Sequence, residues 1–409
     1  MAEPALRGRM LYLVGGPGNA ERVDVSDLFA SRLASLGLQI DYVIFDRHPS
    51  PAWRKTIWRG ATAYVVGRSR RTGLTGAVIN KLYEFAADLR TFWISLKGSY
   101  DIIQIRDKFV VGVLCVFSAK LRRSRFVYWL SYPYAEGRVL DAKEGRALVP
   151  WLSLVGGKVA GWLLYRVIMP QADHNFVQSE QMLLEVAAKG IPVESMSAVP
   201  MAVSDELLLK PIARVEADTI LYLGTLLRVR RLEVLIEALG IVKQTHPAAR
   251  LIFVGDGETP QDRLFLEQVT EKLGLSDAVE FTGMLPMSKA HDRAAAAAVC
   301  VSPFFPTPVL RTTSPTKLSE YMALGRPVVV NSHPEQSLVI EASGAGFCVD
   351  WSAAEFADAI SRLLSDPEAA DRMGALGREY VRAHRTYPVI ARQVAERYRK
   401  LLPPDVHAS

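Results

Sequence analysis

The chain reads as an α/β protein of two doubly wound parallel sheets, and three observations predict this. Short apolar runs of strand length alternate with stretches of helical period, the signature of strands covered on both faces. The alternation runs twice, and it relaxes between about Ser204 and Ala217. With 409 residues the chain exceeds one ordinary core, so two or three domains are expected.

The first series opens with Leu11–Val14, ended by Gly15-Gly16-Pro17-Gly18. A helical stretch over Val25–Leu36 leads to a strand at Ile40–Phe45. Asp101–Ile105, an apolar helix near Phe109–Leu121 and the strand Phe126–Trp129 follow, and Asn175–Val177 and Ser197–Pro200 close this half. The second series has strands at Thr219–Leu223, Arg250–Val254, Val279–Phe281, Val299–Ser302, Pro327–Val330 and Gly346–Val349. Helices at Leu232–Gln244, Leu264–Leu273 and Lys289–Ala297 separate them. Ala353–Leu364 and Pro367–Ala383 read as capping helices, and Tyr387–Leu401 as a last amphipathic helix. A ligand crevice is expected at the carboxyl ends of the strands.

Hydrophobic residues make up 49% and charged residues 22%, a globular balance that excludes disorder. Cys115, Cys300 and Cys348 are widely spaced and odd in number, which suggests a reducing compartment and neither a disulfide frame nor metal-ligand spacing. No signal peptide is recognisable, and no uninterrupted apolar run reaches membrane length. Val149–Pro170 comes nearest. Lys158, Arg166 and Gly156-Gly157 break it, so it reads as a buried or interfacial helix.

The net charge of +6 is uneven. Eight cations and no acid lie between Arg47 and Tyr83, with Trp53 and Trp58 among them. A second cluster runs from Lys120 to Arg125. Cations interleaved with Trp suit an anionic membrane surface. A solvated basic face is the alternative, and nucleic acid is disfavoured.

Ser314 to Val330 carries the densest chemistry. Ser314 stands at an N-cap position and Pro315 at the first helical position. The amides of Thr316, Lys317 and Leu318 would then face an anion, favoured by the helix dipole. Glu320 could accept hydrogen bonds from a ribose diol. Gly325 and Pro327 end the helix before a buried strand. An ordinary capped helix would show the same local pattern. Upstream, Arg228, Arg230 and Arg231 crowd the start of a helix, where the dipole disfavours cations, so an anion such as a diphosphate is called for.

Glu320-Tyr321-Met322-Ala323-Leu324-Gly325-Arg326-Pro327-Val328-Val329 resembles the nucleotide-sugar segment of glycosyltransferase family 4, whose members have the GT-B fold. The resemblance implies two Rossmann-like domains facing a cleft, with a C-terminal helix crossing back to the first. On that basis residues 1–205 form an acceptor-binding domain and 206–385 a nucleotide-sugar domain. Residues 386–409 form the returning helix and tail. The resemblance gives Glu320 the donor ribose. The family's first Glu of the pair would fall at Thr312, which inherits no role. The family's Gly-Arg-Leu…Lys-Gly segment aligns with Gly224 to Arg231, with Thr225 in the Arg place and Arg230 or Arg231 in the Lys place. Gly255 and Gly257 resemble the Val-Gly-x-Gly turn beside the donor. After Val279–Gly283, the backbone of Met284 and Leu285 would meet the base. Gly16, Gly18 and Asn19 resemble the acceptor-side loop, although a tight turn explains them equally. Ser131 stands where many members carry a His. His174 and His48 read as structural.

The expectation is a retaining, metal-independent hexosyltransferase with no cofactor. It would use a UDP-sugar or GDP-sugar donor and a polyprenyl-linked glycan acceptor. Its place would be in exopolysaccharide or lipopolysaccharide assembly, with the protein cytoplasmic and peripheral on the inner face of the plasma membrane. Departures at Thr312, Thr225 and Ser131 motivate the alternative of a non-catalytic sugar-nucleotide-binding or partner subunit. A Rossmann oxidoreductase is disfavoured, because no strand is followed by Gly-x-Gly-x-x-Gly with an acid downstream.

Overall fold

The structure is a computed structural model, and it describes residues 5–147 and 149–402. It divides into two compact units. One holds the residues up to Pro200 together with those from Tyr387 onward, and the other is Met201–Thr386.

Unit 1 contains β1 (Gly8–Pro17), β2 (Leu38–Phe45), β3 (Trp53–Trp58), β4 (Ala61–Val66), β5 (Ile102–Arg106), β6 (Arg125–Leu130), β7 (His174–Val177) and β8 (Met196–Ala198). Their order is β3-β4-β2-β1-β5-β6-β7-β8, parallel throughout except for the β3–β4 pair. Alternate residues of β1 face opposite layers. Leu11 and Leu13 join Val111 and Cys115 in the core under the helices Gly73–Lys97 and Val110–Arg122. On the other face Tyr12 meets Phe29, and Phe176 on β7 meets Tyr398 of the last helix, Tyr387–Leu401. The Tyr398 hydroxyl also donates to Gln104 on β5. The last helix is thus an integral layer of unit 1.

Unit 2 contains β9 (Glu216–Leu223), β10 (Arg250–Val254), β11 (Val279–Phe281), β12 (Ala297–Ser302), β13 (Val328–Asn331) and β14 (Gly346–Val349), all parallel in the order β11-β10-β9-β12-β13-β14. In each sheet the chain builds outward on one side of its first strand and then on the other. The crevice of a doubly wound sheet therefore opens between β1 and β5 in unit 1, and between β9 and β12 in unit 2.

Several expectations are corrected. The first boundary falls at Pro200, not residue 205, because the Met201 amide donates to Ser314 Oγ at 2.9 Å and the Val203 amide to Arg385 O at 2.9 Å. Thr386 stays with unit 2 through its bridge to Val203. Residues 403–409 of the expected tail lie outside the described residues. The helix over Val25–Leu36 is a single turn, Val23–Ser26, followed by a π-helical turn at Leu28–Leu33. The hairpin β3–β4 and the long helix Gly73–Lys97 were not foreseen. Arg59 (φ 48°) and Gly60 (φ 80°) are both left-handed, as a two-residue hairpin turn requires. Charged residues on an exposed edge strand hid the alternation.

That hairpin also changes the meaning of the basic stretch. Arg54 forms a forked pair with Asp46 at 2.6 and 3.1 Å. Trp53 stacks on Tyr64, Trp58 lies edge-on to Tyr42, and both are half-buried. The two Trp residues assigned to a lipid headgroup layer therefore pack within the unit. Among the described residues one helical run, Pro150–Gln171, is long and apolar enough to cross a membrane. Its second half is core, with Leu164 and Ile168 fully buried.

Candidate functional site

The carboxyl ends of β9, β10 and β11 are stitched into one platform. The Gly224 amide donates to Val254 O at 2.9 Å, Gly255 to Gly283 O at 3.1 Å, and Leu226 to Asp256 O at 2.9 Å. The approach is so close that a Cβ on Gly255 would lie 2.1 Å from Gly224 O, and Gly255 has φ 138°. Only glycine fits there. Gly257, next along, donates to the Asp256 carboxylate. Met284 is exposed beyond β11, whereas Leu285 packs on the core.

The helix Thr316–Ala323 points its N-terminus at this platform, and the Tyr321 hydroxyl accepts from the Leu223 amide at 2.7 Å, pinning helix to strand. Its N-cap is Pro315, and no side chain caps the first turn. This corrects the N-cap expected at Ser314, whose hydroxyl is engaged by Met201 instead. The first-turn amides of Thr316, Lys317 and Leu318 thus lack the side-chain acceptor that usually satisfies such groups.

The charge sits beside that helix start. Lys317 Nζ is buried and donates to the Tyr222 hydroxyl at 3.1 Å; Arg230 Nη1 donates to the same oxygen at 3.1 Å. The hydroxyl donates onward to Thr225 O. Two cations converge on one neutral oxygen with no carboxylate between them. Burial holds the Lys317 ammonium well below its usual range, Arg230 adds to this, and Glu320 opposes it. Burial likewise raises the Tyr222 phenol, against the pull of Arg230. A bound anion would relieve this arrangement.

The two arginines left open by the sequence part company. Arg231 is left-handed (φ 54°), pairs with Glu233 at 2.6 Å and lies over the Phe305 ring, with an exposed side chain. Arg230 alone joins Lys317. Thr225 Oγ1 is buried without a hydrogen-bond partner. Thr312 is buried and donates to Val309 O at 2.9 Å. Glu320 stands one turn behind Lys317, with His291 Nε2 at 3.6 Å from its carboxylate. His291 was not singled out from sequence. It comes from another helix, Met287–Ala296, and no local pattern links it to Glu320.

In unit 1, Gly16 and Gly18 are left-handed (φ 90° and 74°), and Asn19 Nδ2 folds back onto Gly15 O. Ser131 N donates to Asp107 Oδ1 at 2.8 Å, and its hydroxyl donates to the same carboxylate. Burial raises Asp107 despite Arg106, which also reaches Asp24 at 2.6 Å. A cavity of about 570 Å³ opens at the β1/β5 switch point, lined by Gly15, Gly16, Asp107, Lys108, Tyr134 and Asp88 among others. His174 donates to or accepts from Ser197 Oγ at 3.0 Å, and burial lowers it to about 4, as suits a structural histidine.

Residues 217–366 match the family model described as glycosyl transferases group 1. The matched residues lie within unit 2. A GDP-mannose-dependent alpha-(1-6)-phosphatidylinositol monomannoside mannosyltransferase of Mycobacterium tuberculosis is 26% identical to this chain over 190 residues. The match covers 44% of this chain and 47% of that protein, so the chain spans about half the length of the curated relatives it matches. Among solved structures, sucrose-phosphate synthase from Thermosynechococcus elongatus superposes with a TM-score of 0.70 at 19% identity, over 97% of this chain and 99% of that one. Anabaena HepE in complex with UDP-glucose gives 0.67 at 17% identity, over 96% and 100%. The chain thus has the two-unit GT-B fold, and the platform, helix start and cations described above lie within the residues that match the group 1 model.

Proposed function

We propose that the protein is a glycosyltransferase, a retaining and metal-independent hexosyltransferase that moves a sugar from a nucleoside-diphosphate sugar to a hydroxyl. The observation that carries this reading is the convergence of Lys317 and Arg230 on Tyr222 beside an uncapped helix start. A buried Lys317, a half-buried Arg230 and uncapped first-turn amides form a cradle for a diphosphate.

In this reading the diphosphate displaces the weak Lys317–Tyr222 bond, and Arg230 and the amides of Thr316 to Leu318 take the charge that develops on the leaving group. Glu320 accepts the ribose diol, steadied by His291. Gly255 and Gly257 leave the backbone open beside the donor, and the backbone of Met284 and Leu285 meets the base. The leaving phosphate takes the acceptor's proton. Arg231, tied to Glu233, has no direct part. Gly16, Gly18, Asn19 and Ser131 serve the acceptor in unit 1, with Ser131 held by Asp107.

The donor is a UDP-sugar or GDP-sugar, and no cofactor is needed. HepE was solved with UDP-glucose, and the mycobacterial relative is named for GDP-mannose and a phosphatidylinositol mannoside. The latter name supports a lipid-linked acceptor. A polyprenyl-linked glycan, used at the cytoplasmic face of the plasma membrane in exopolysaccharide or lipopolysaccharide assembly, fits that class. Calorimetry with UDP and GDP, then release of nucleoside diphosphate from donor in the presence of membrane extract, tests the reading. Binding of either nucleotide with release supports it. Binding without release identifies a sugar-nucleotide-binding subunit, and binding of neither removes the proposed site.

A further inference from the structure

The helices on one face of the unit 1 sheet present apolar side chains outward as well as inward. On the helix Gly73–Lys97, the residues Val78, Leu82, Phe85, Leu89 and Trp93 are exposed and recur at helical spacing, so they form one stripe. Phe117 and Leu121 extend it on the neighbouring helix Val110–Arg122, where Phe92 meets Phe117. The helix Pro150–Leu163 carries a second stripe: Trp151, Leu152, Val155, Val159 and Trp162, with both Trp more than half exposed. Monomeric soluble surfaces rarely expose such runs without a partner.

The unpaired charge around the stripes is basic, since Asp141 and Glu144, ahead of the second stripe, pair with Arg146. Exposed Lys97, Arg122, Arg123, Lys158 and Arg166 stand beside them. The acids Glu84 and Asp88 of the first helix turn inward onto Lys108, at 3.3 and 3.7 Å. No acid occurs between Glu144 and Asp173. A protein partner matched to this face would itself have to be uniformly acidic around an apolar centre. An anionic bilayer has that character, and Trp beside cations suits its headgroup boundary.

We propose that unit 1 docks on an anionic lipid bilayer through the outer face of the helices Gly73–Lys97, Val110–Arg122 and Pro150–Leu163, with Trp93, Trp151 and Trp162 entering the headgroup layer. The Pro150–Gln171 run lies along the surface and does not cross it, because Leu164 and Ile168 at its far end belong to the core. The docking face differs from the hairpin stretch first suspected, since Trp53 and Trp58 are packed away and Arg54 is paired. Given the lipid-linked acceptor proposed above, such docking brings the protein to its substrate.

Flotation of the full chain with phosphatidylcholine vesicles, with and without phosphatidylglycerol, tests this. Lipid binding is read without donor or acceptor, so its failure leaves the transferase reading standing. The protein is expected to float with the anionic vesicles and to be only partly released by salt, because apolar contacts survive screening. Lipids brominated in the acyl chain should quench its tryptophan fluorescence. The variants W151E/W162E and L82E/W93E should each reduce partitioning by about ten-fold or more with unchanged circular dichroism. R54Q/K55Q on the hairpin should leave it unchanged. The proposal is overturned if the wild type does not float at low salt, or if both helix variants float as well as wild type. It is also overturned if light scattering shows a dimer that these variants dissociate, which would make the face an interface between copies.

Discussion

At the scale of single residues, the site separates groups that look alike in the sequence. Arg230 and Arg231 are adjacent, yet only Arg230 shares the Tyr222 hydroxyl with Lys317. Arg230→Ala should therefore lower turnover by roughly 100-fold, as for loss of one strong transition-state donor, while Arg231→Ala should change it only a few-fold. Equal losses in steady-state assays would contradict this division. Glu320→Ala should weaken nucleoside diphosphate binding by about 1.5–3 kcal/mol, the range for hydrogen bonds to a charged group, with the fold intact. Unchanged affinity by calorimetry would take Glu320 out of the site. Glu320 and Lys317 stood out as candidates in the sequence because they share one short segment, and the glycines because each follows the end of a strand run. His291 did not, because its tie to Glu320 spans separate helices.

Elements show how burial tunes these groups. Lys317 begins a helix and is buried against Tyr222, which holds its folded pKa well below the usual range. A diphosphate would raise that pKa, so binding should take up protons, and affinity should fall as pH rises above the depressed value. Calorimetry in buffers of different ionisation enthalpy measures the uptake, and Lys317→Met should abolish this component. Asp88, on the helix Gly73–Lys97, is a case of opposite origin. Burial raises it to about 6, with Lys108 only partly opposing. A carboxyl raised in the folded state favours folding below its unfolded value near 3.8, and that contribution is lost as pH climbs through about 6. Asp88→Asn should thus stabilise unit 1 by roughly 1–3 kcal/mol at pH 8 and by little near pH 3.5, read from urea midpoints at the two values. At Gly255 the constraint is steric. Gly255→Ala should cost about 2–4 kcal/mol of stability, since the new Cβ meets a backbone oxygen that cannot move without breaking the platform.

For the whole molecule, the division into two cores has a thermodynamic consequence. Each unit buries its own apolar cluster, so calorimetry should resolve or broaden two transitions. A nucleoside diphosphate at about 100 times its dissociation constant should stabilise unit 2 by roughly 2.7 kcal/mol and leave the transition of unit 1 unmoved. A shift confined to unit 1 would place the nucleotide in the wrong half. The last helix returns the chain to unit 1, joining the first sheet through Tyr398, so truncation before Tyr387 should destabilise unit 1 selectively.

The sequence by itself determined the two parallel sheets, because buried strands read as apolar runs and their helices as periodic ones. It also placed the glycine turns and the helix Thr316–Ala323, each of which lies in one contiguous segment. Only the tertiary structure decided which arginine reaches Lys317, that Ser314 caps nothing, that His291 stands by Glu320 and that Trp53 and Trp58 are spent on packing. It also revealed the hairpin β3–β4, whose charged edge strand masks its alternation. The physical reason is common to these cases. Periodicity reports which face of an element is buried, but where a long side chain ends, and which distant residue meets it, depends on how the elements pack.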